Sequence, residues 1–571
     1  MTEYRVEALG GNFFKFFTPE LTLLIGLLML IIVPNLGKGT FRVPGTQLRL
    51  PWFFGGERYE VTGSPKIPGM IGTFFLFCAF FQLVAVFFLS ETAQDSVLAH
   101  ATGDQSVRIL AATPFSRMLE MILLGALSLV SLASIDRFAA SPVSSRMSVN
   151  SLYNNRRQAD FYIMLMTSAL GMSIVALAEN LFVLFMGLEL ATFSIYVLVA
   201  FNKESKTSSE AGMKYFIVGS AASGVGLYGL SLLYLWSGTL QIDLLAEAWA
   251  GIGQEKLPFV ALGLILVGFG FKISAVPFHF AAPDAYSGAS SPIAGLLATA
   301  SKTMGMIGLF RVLLVITLPQ GTDEGIIWLI VLGVLAAVTM TWGNIAALGS
   351  KNPKRMLAYS SVAHAGYMLA TLTAVGVWNF GQSGLTDEAL ISAKWALTAL
   401  LFHLAVLVAF KLGAFLVLAV MEMEGELTDS SALAGLAKRD PFIAVAMFIF
   451  MLALAGVPPL AGFLSKFLMI QSIVNVATTS SGATLFGLDL HWVWALALLL
   501  VLNSAISVFY YLRIGVVMFF DKAEKGRTGA LPNGIALRMA IVFCLIGTIA
   551  LGIWADNFLT ICQDAAAALL S

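Results

Sequence analysis

Glu189, Lys272, Lys302, Lys411 and Lys466 each stand inside a long apolar run of this chain. A charge at the centre of a bilayer costs about 2.5–3.5 kcal/mol on insertion scales, and residues kept there usually line an ion or proton route. A buried ammonium takes up or releases a proton as its counter-charge approaches or withdraws, so a row of amines with one acid can carry protons without a cofactor. Histidine titrates near neutrality, which gives His364 and His403, inside spans, and His279, just past Pro277, the same capability. For His403 a satisfied core role is an equal reading. His100 and His491 fall near the outer surface and receive no role.

Each group also has a plainer reading. Glu189 lies midway along its run, where a structural acid paired to Lys or Arg is the alternative. Lys272 lies about five residues from the inner end of its span, within snorkelling reach. Lys302 is near the middle of its run, where snorkelling is hard, and Lys411 is about sixteen residues from the outer end of its span and about nine from the inner. Lys466 follows a helix break whose freed carbonyls offer it a home. Glu210 and Lys214 are four apart at a helix start, in the order that favours a side-chain pair; on position alone they read as a surface pair.

The elements that must hold these groups follow from composition. Of 571 residues 58% are hydrophobic and 12% charged, which describes an all-α polytopic membrane protein. A span needs about 20 apolar residues, and about fourteen segments qualify. They run over 19–36, 68–90, 116–135, 160–178, 180–201, 213–236, 257–277, 292–317, 325–348, 356–377, 395–420, 441–477, 491–519 and 537–556. Little chain is left for a soluble catalytic domain. Thirty-three basic residues balance 33 acidic ones, so nothing suggests nucleic-acid binding. Cys78, Cys544 and Cys562 lack ligand spacing, which supports neither a cluster nor a metal site. The residues up to Phe17 show no signal-peptide pattern, so the first span is expected to be retained.

Two spans should be discontinuous. Gly456, Pro458, Pro459 and Gly462 interrupt 441–477, and Pro277 follows Lys272; Pro removes a backbone donor and breaks the ladder. Basic residues gather in alternate loops, among them Lys38 to Lys66, Arg137 to Arg157, Lys351 to Arg355 and Lys522 to Arg527. That asymmetry puts these loops in the cytoplasm and both termini on the other side. The segment from Phe278 to Ser291 has no Lys or Arg and is expected to fold back into the protein.

Five spans over 160–317 and five over 325–519 each include one with a proline break near a lysine. An odd number of spans separates equivalent positions, so the second block should be inverted relative to the first, an arrangement that marks ion sites near the midplane. The expected organisation is an N-terminal three-helix region (1–159), two inverted five-helix repeats (160–317 and 325–519) and a C-terminal helix (520–571).

Several runs carry a family likeness: Phe185-Met-Gly-Leu-Glu189-Leu, Glu210-Ala-Gly-Met-Lys214, Gly270-Phe-Lys272-Ile-Ser-Ala-Val-Pro-Phe-His279, Ala300-Ser-Lys302, Asn352-Pro-Lys-Arg355 with His364-Ala-Gly-Tyr367, and Pro458-Pro459 followed by Lys466. Together they resemble the antiporter-like membrane subunits of respiratory complex I, the proton-pumping NADH:quinone oxidoreductase, over about residues 160–520. Lysine at Lys466 and the lack of a long lateral helix make the chain most similar to the subunit N branch. The resemblance implies fourteen helices and proton transfer through Glu189, Lys214, Lys272, Lys302 and Lys466, with Glu210 and His279 assisting. His364 and Lys411 join as supporting groups. It also implies that no cofactor or metal is held in this chain, the electron donor (NADH or another), flavin, iron–sulfur clusters and quinone belonging to partner subunits. The bacterial inner membrane is the expected location. The departures lie in the N-terminal region and in the loops 37–68, 91–116 and 136–160.

The expected mechanism has Glu189 modulate Lys272, with the proton then passing by Lys302 toward Lys466. The alternatives are an Mrp-type cation/proton antiporter subunit, which shares these motifs, and a non-conducting structural subunit. A membrane-embedded transferase is disfavoured, since no nucleophile, base and donor-binding set is visible.

Overall fold

The computed structural model describes residues 17–33, 36–42, 49–53, 66–89, 96–102, 105–136, 147–252, 255–317, 323–377, 387–425, 427–479, 484–485, 488–489, 492–523, 529, 531–532 and 534–570. The segment before Phe17 and much of the loops 37–68, 91–116 and 136–160 lie outside them.

Among the described residues the helices are α1 (Thr18–Ile32), α2 (Ile67–Leu89), α3 (Pro114–Ser134), α4 (Met147–Leu177), α5 (Leu181–Val199), α6 (Lys206–Ser237), α7 (Ile242–Ala250), α8 (Leu257–Ile273), α9 (Ala281–Gly288), α10 (Ser291–Ala298), α11 (Ala300–Leu309), α12 (Asp323–Gly349), α13 (Pro353–Val377), α14 (Asp387–Glu422), α15 (Pro441–Ala455), α16 (Ala461–Thr479), α17 (Trp492–Phe520), α18 (Ile535–Ile553) and α19 (Asp556–Leu570). α11 continues as a π-helix over Phe310–Thr317. Pro114, Pro258, Pro292, Pro353 and Pro441 fall in first turns, where the missing N–H is no loss. Asn180 and Asp440 cap α5 and α15 by accepting from Phe182 N–H at 2.9 Å and Ile443 N–H at 3.2 Å, satisfying donors that lipid cannot.

Eleven described helices are long and apolar enough to cross a membrane, and α1, α8 and α15 are shorter apolar ones. That set differs from the expected fourteen in two places. The segment 441–477 is two helices, as anticipated from its prolines, and the expected span 356–377 is α13, a 25-residue helix rich in polar side chains. α13 carries Ser360, Ser361, His364, Tyr367, Thr371 and Thr373, all buried. It can be polar because its surroundings are protein rather than lipid.

The residues from Phe278 to Ser291 do fold back: α9 packs on α6 and α13 with Ala281, Ala282 and Tyr286 buried. A further break that the sequence did not signal comes at Thr299, between α10 and α11. Two antiparallel hairpins, β1 (Leu36–Arg42) with β2 (Arg49–Phe53) and β3 (Ser96–Thr102) with β4 (Gln105–Ala112), occupy parts of the long loops. α7 and α19 were also not anticipated as elements. α19 packs on α14 and α3, burying Cys562, Ala565 and Ala566. Of the other cysteines, Cys544 is buried and Cys78 half-buried.

Glycines let the central helices cross closely. A Cβ on Gly343 would stand 2.4 Å from Ala363 N, and one on Gly366 would stand 2.3 Å from Met340 N. Small residues at such crossings bring backbones together where lipid offers no hydrophobic drive. The crossing of α12 and α13 fixes the helix that carries His364.

Candidate functional site: a buried row of amines and imidazoles

α5 and α8 bring the acid and the first amine together. Lys272 Nζ lies 3.9 Å from Glu189 Oε1, with the lysine side chain 1% and the glutamate 18% exposed. Ser223 of α6 donates to the same Glu189 oxygen at 2.6 Å, and Lys272 donates to Thr192 Oγ1 at 2.8 Å. The Tyr196 and Phe271 rings each lie 5.7 Å from the ammonium, adding cation–π attraction. A void of about 10 Å³ beside Ser223 and Lys272 has room for about one water. Lys272 is therefore turned to partners inside the protein, and snorkelling does not describe it.

The two helix breaks hold the next amines. Ser274 adopts a left-handed φ of 60° after α8, ending the helix and leaving carbonyls without donors. Lys302 Nζ donates to one of them, Ile273 O, at 2.6 Å. At the second break Gly456 has φ 87°, and Lys466 Nζ donates to Leu454 O at 2.7 Å and Ala455 O at 3.3 Å. Both ammonium groups thus sit on helix C-termini, whose partial negative charge favours a cation. The Tyr367 ring lies 5.8 Å from Lys466 Nζ.

Between these breaks run α13 and α14. Lys411, fully buried, donates to Ser360 Oγ at 2.9 Å, and Ser360 hydrogen-bonds Tyr511. His364 Nδ1 lies 3.0 Å from His403 Nε2, and His403 Nδ1 lies 3.1 Å from Ser465 Oγ, one residue before Lys466. His403, which sequence reading left undecided, is a member of the row. Its only sequence signal was depth within a span.

The remaining candidates lie elsewhere. Lys214 contacts Glu210 at 2.7 Å and Asp284 at 3.2 Å, with about half of each side chain of the Glu210 pair exposed. They form a surface cluster at a cavity of about 810 Å³, lined also by Arg355, Lys354 and Glu422. His279 is half-buried and meets the Trp342 ring edge-on at 6.0 Å.

Two buried ion clusters were not singled out in the sequence. Arg117 is buried in α3 and contacts Glu20 at 2.7 Å and Glu120 at 2.5 Å. Arg311 contacts Glu179 at 3.0 Å. Both sit near helix ends, where a charge gives little sequence signal of burial. Among the described residues no group of three or more His, Cys, Asp or Glu is placed to hold a metal ion.

Residues 178–487 match the family model described as NADH:quinone oxidoreductase/Mrp antiporter, TM. A relative from Desulfitobacterium hafniense, NADH-quinone oxidoreductase subunit N, is 37% identical over 72% of this chain and 79% of its own length. F(420)H(2) dehydrogenase subunit N of Methanosarcina mazei is 35% identical over 76% of this chain and 82% of its own. Among solved structures, a chain of respiratory complex I from Thermus thermophilus with bound aureothin superposes with a TM-score of 0.67 at 26% identity, covering 95% of this chain and 98% of that one.

Proposed function

Since the chain belongs to the NADH:quinone oxidoreductase/Mrp antiporter membrane family, in its subunit N branch, we propose that it is a proton-translocating subunit of a quinone-reducing complex. The observation that carries the reading is the set of buried titratable groups Glu189–Lys272, Lys302, Lys411, His364–His403 and Lys466. A solvated or lipid-facing protein would not keep four amines and two imidazoles buried together. Withdrawal of Glu189 from Lys272 would release the amine's proton, and its approach would recapture it, because the counter-charge sets the stability of the buried ammonium. The proton then passes by Lys302 and the α13–α14 groups toward Lys466. The two breaks belong to inverted repeats over 160–317 and 325–519, framed by the regions 1–159 and 520–571. Glu210, Lys214 and His279 assist at the periphery.

Electron transfer is assigned to partner subunits, which would hold the donor site, flavin, iron–sulfur clusters and quinone. The relatives above are named for NADH and F(420)H(2) complexes at similar identity, so either donor fits. The location is a bacterial inner membrane, multi-pass, with the basic loops cytoplasmic and both termini outside.

The test is Glu189→Gln and Lys302→Ala in the native complex, reading proton uptake per quinone reduced. Loss of pumping with retained assembly supports the route; normal pumping supports a structural subunit instead. The family description favours one further reading, an Mrp-type antiporter subunit. Sodium-dependent proton exchange without copurifying quinone-reducing subunits would establish that one.

A further inference from the structure

At the floor of the large cavity Lys354 Nζ donates to Glu422 Oε1 at 2.6 Å and to Ala289 O at 2.5 Å, while Glu422 Oε2 accepts from Ser291 N–H at 2.9 Å. Lys354 is 4% exposed. Four groups are thereby closed into one clamp across the junction of α9 and α10.

The placement of the charges shows what the clamp serves. Lys354 is in the first turn of α13 and Glu422 is the last residue of α14. A cation at a helix N-terminus and an anion at a C-terminus both oppose the macrodipole of their own helix. Each charge instead suits a short helix: Lys354 meets the carbonyl after α9, and Glu422 meets the first N–H of α10. Those termini lie inside the protein and need partners that lipid cannot supply. The pair is therefore arranged for the junction at the expense of its own helices.

Along the chain that junction lies between Lys272 and Lys302. From it α10 leads through Thr299 to Lys302, whose ammonium is seated on Ile273, the residue after Lys272. The clamp residues come from α13 and α14, which carry His364, His403 and Lys411. One contact set thus ties the helices of the second lysine group to the segment that seats Lys302.

We propose that Lys354 and Glu422 are positioning residues for proton transfer, fixing the α9–α10 junction to the ends of α13 and α14 so that Lys302 stays docked on Ile273. The inference rests on the proton-route reading above for its functional half. Its structural half, the clamp on Ser291 and Ala289, stands separately.

The experiment uses the whole complex in membrane vesicles, with two readouts: deuterium exchange at the Ser291 amide and protons moved per quinone reduced. Glu422→Ala should speed Ser291 exchange by about tenfold or more, since an opened hydrogen bond loses its protection. It should also lower the proton ratio severalfold while quinone reduction continues. Lys354→Met should lower the ratio similarly, and Lys354→Arg, which can still donate to both partners, should restore most of it. The swap Lys354→Glu with Glu422→Lys is decisive. It keeps an ion pair, yet the new glutamate cannot donate to Ala289 and the new lysine cannot accept from Ser291, so both defects should persist. A swap that pumps normally overturns the proposal, as does an unprotected Ser291 amide in the native complex or normal pumping in Glu422→Ala. Should Glu422→Ala fail to assemble, Glu422→Gln takes its place: it keeps an acceptor for Ser291 and loses the charge facing Lys354, so it should retain exchange protection and lose pumping. Lys302→Ala run in parallel separates the two readings. Normal pumping there removes the proton route, whereas the exchange results judge the clamp alone.

Discussion

Lys302 rests its ammonium on the carbonyl of Ile273, 2.6 Å away, at the point where α8 ends. Lys466 does the same with Leu454 where α15 ends. A helix that stops inside the membrane leaves carbonyls without donors, and at both breaks a lysine from another segment supplies one. The break and the amine thus satisfy each other: the backbone gains a donor and the charge gains a negative pole. Neither amine has a carboxylate as its described hydrogen-bond partner; backbone carbonyls hold both, with the Tyr367 ring 5.8 Å from Lys466 Nζ.

The second of these seats depends on Gly456. Its φ of 87° is one that side chains disfavour, and a Cβ there would stand 3.2 Å from Lys466 Cδ. Gly456→Ala is expected to cost about 1–2 kcal/mol from the left-handed backbone and to push Lys466 off its carbonyls. Thermal unfolding should shift down, and pumping should fall more than quinone reduction does. Gly349→Ala, where an added Cβ meets nothing within 4 Å, should leave both unchanged. Equal behaviour of the two variants would show that the seat is not needed.

The His364–His403 contact at 3.0 Å makes a non-additive pair. If protons cross it, removing either imidazole interrupts the same step. His403→Ala should then slow pumping about as much as His364→Ala, and the double variant should be no worse than the singles. A coupling of about 0.5–3 kcal/mol is usual for groups in one hydrogen-bond network. Additive losses, read from initial pumping rates in vesicles, would assign the two rings to separate tasks.

The acid and first amine lend themselves to a stability cycle. Lys272 is 1% exposed at 3.9 Å from Glu189, and losing one member of a buried pair typically costs about 3–5 kcal/mol. Lys272→Met should destabilise the subunit by up to that amount, with the lower end expected because Glu189 keeps Ser223 and is partly exposed. Adding Glu189→Gln should recover most of the loss without recovering pumping. A double variant as unstable as Lys272→Met, by thermal melting of the assembled complex, would mean that the two charges do not interact.

Helix crossing is the last point of attack. Gly366 approaches the backbone nitrogen of Met340 so closely that an added Cβ would lie 2.3 Å away. Gly366→Val is expected to drive α12 from α13 at a cost of about 1–3 kcal/mol or more, and to displace His364 two residues before it. Reduced yield of intact complex is the result to look for; native yield and pumping would show that the two helices can separate freely.

Properties carried by short stretches of chain were readable from the residues alone. Apolar runs identified the membrane solvent, because transfer free energy adds along a segment. Pro458 and Pro459 marked the break before Lys466, because a missing N–H acts locally. The same local logic failed where burial depends on neighbours. α13 was legible as a span, but its enclosure by protein on every side was not. Arg117, Glu120 and Arg311 stood near helix ends and are buried in ion clusters. Only the tertiary structure joined His403 to Ser465 and Lys354 to Glu422, residues separated by long stretches of sequence. A charge announces its cost by the run in which it sits, but its partner is chosen by how the helices pack, and no periodicity along one helix encodes that choice.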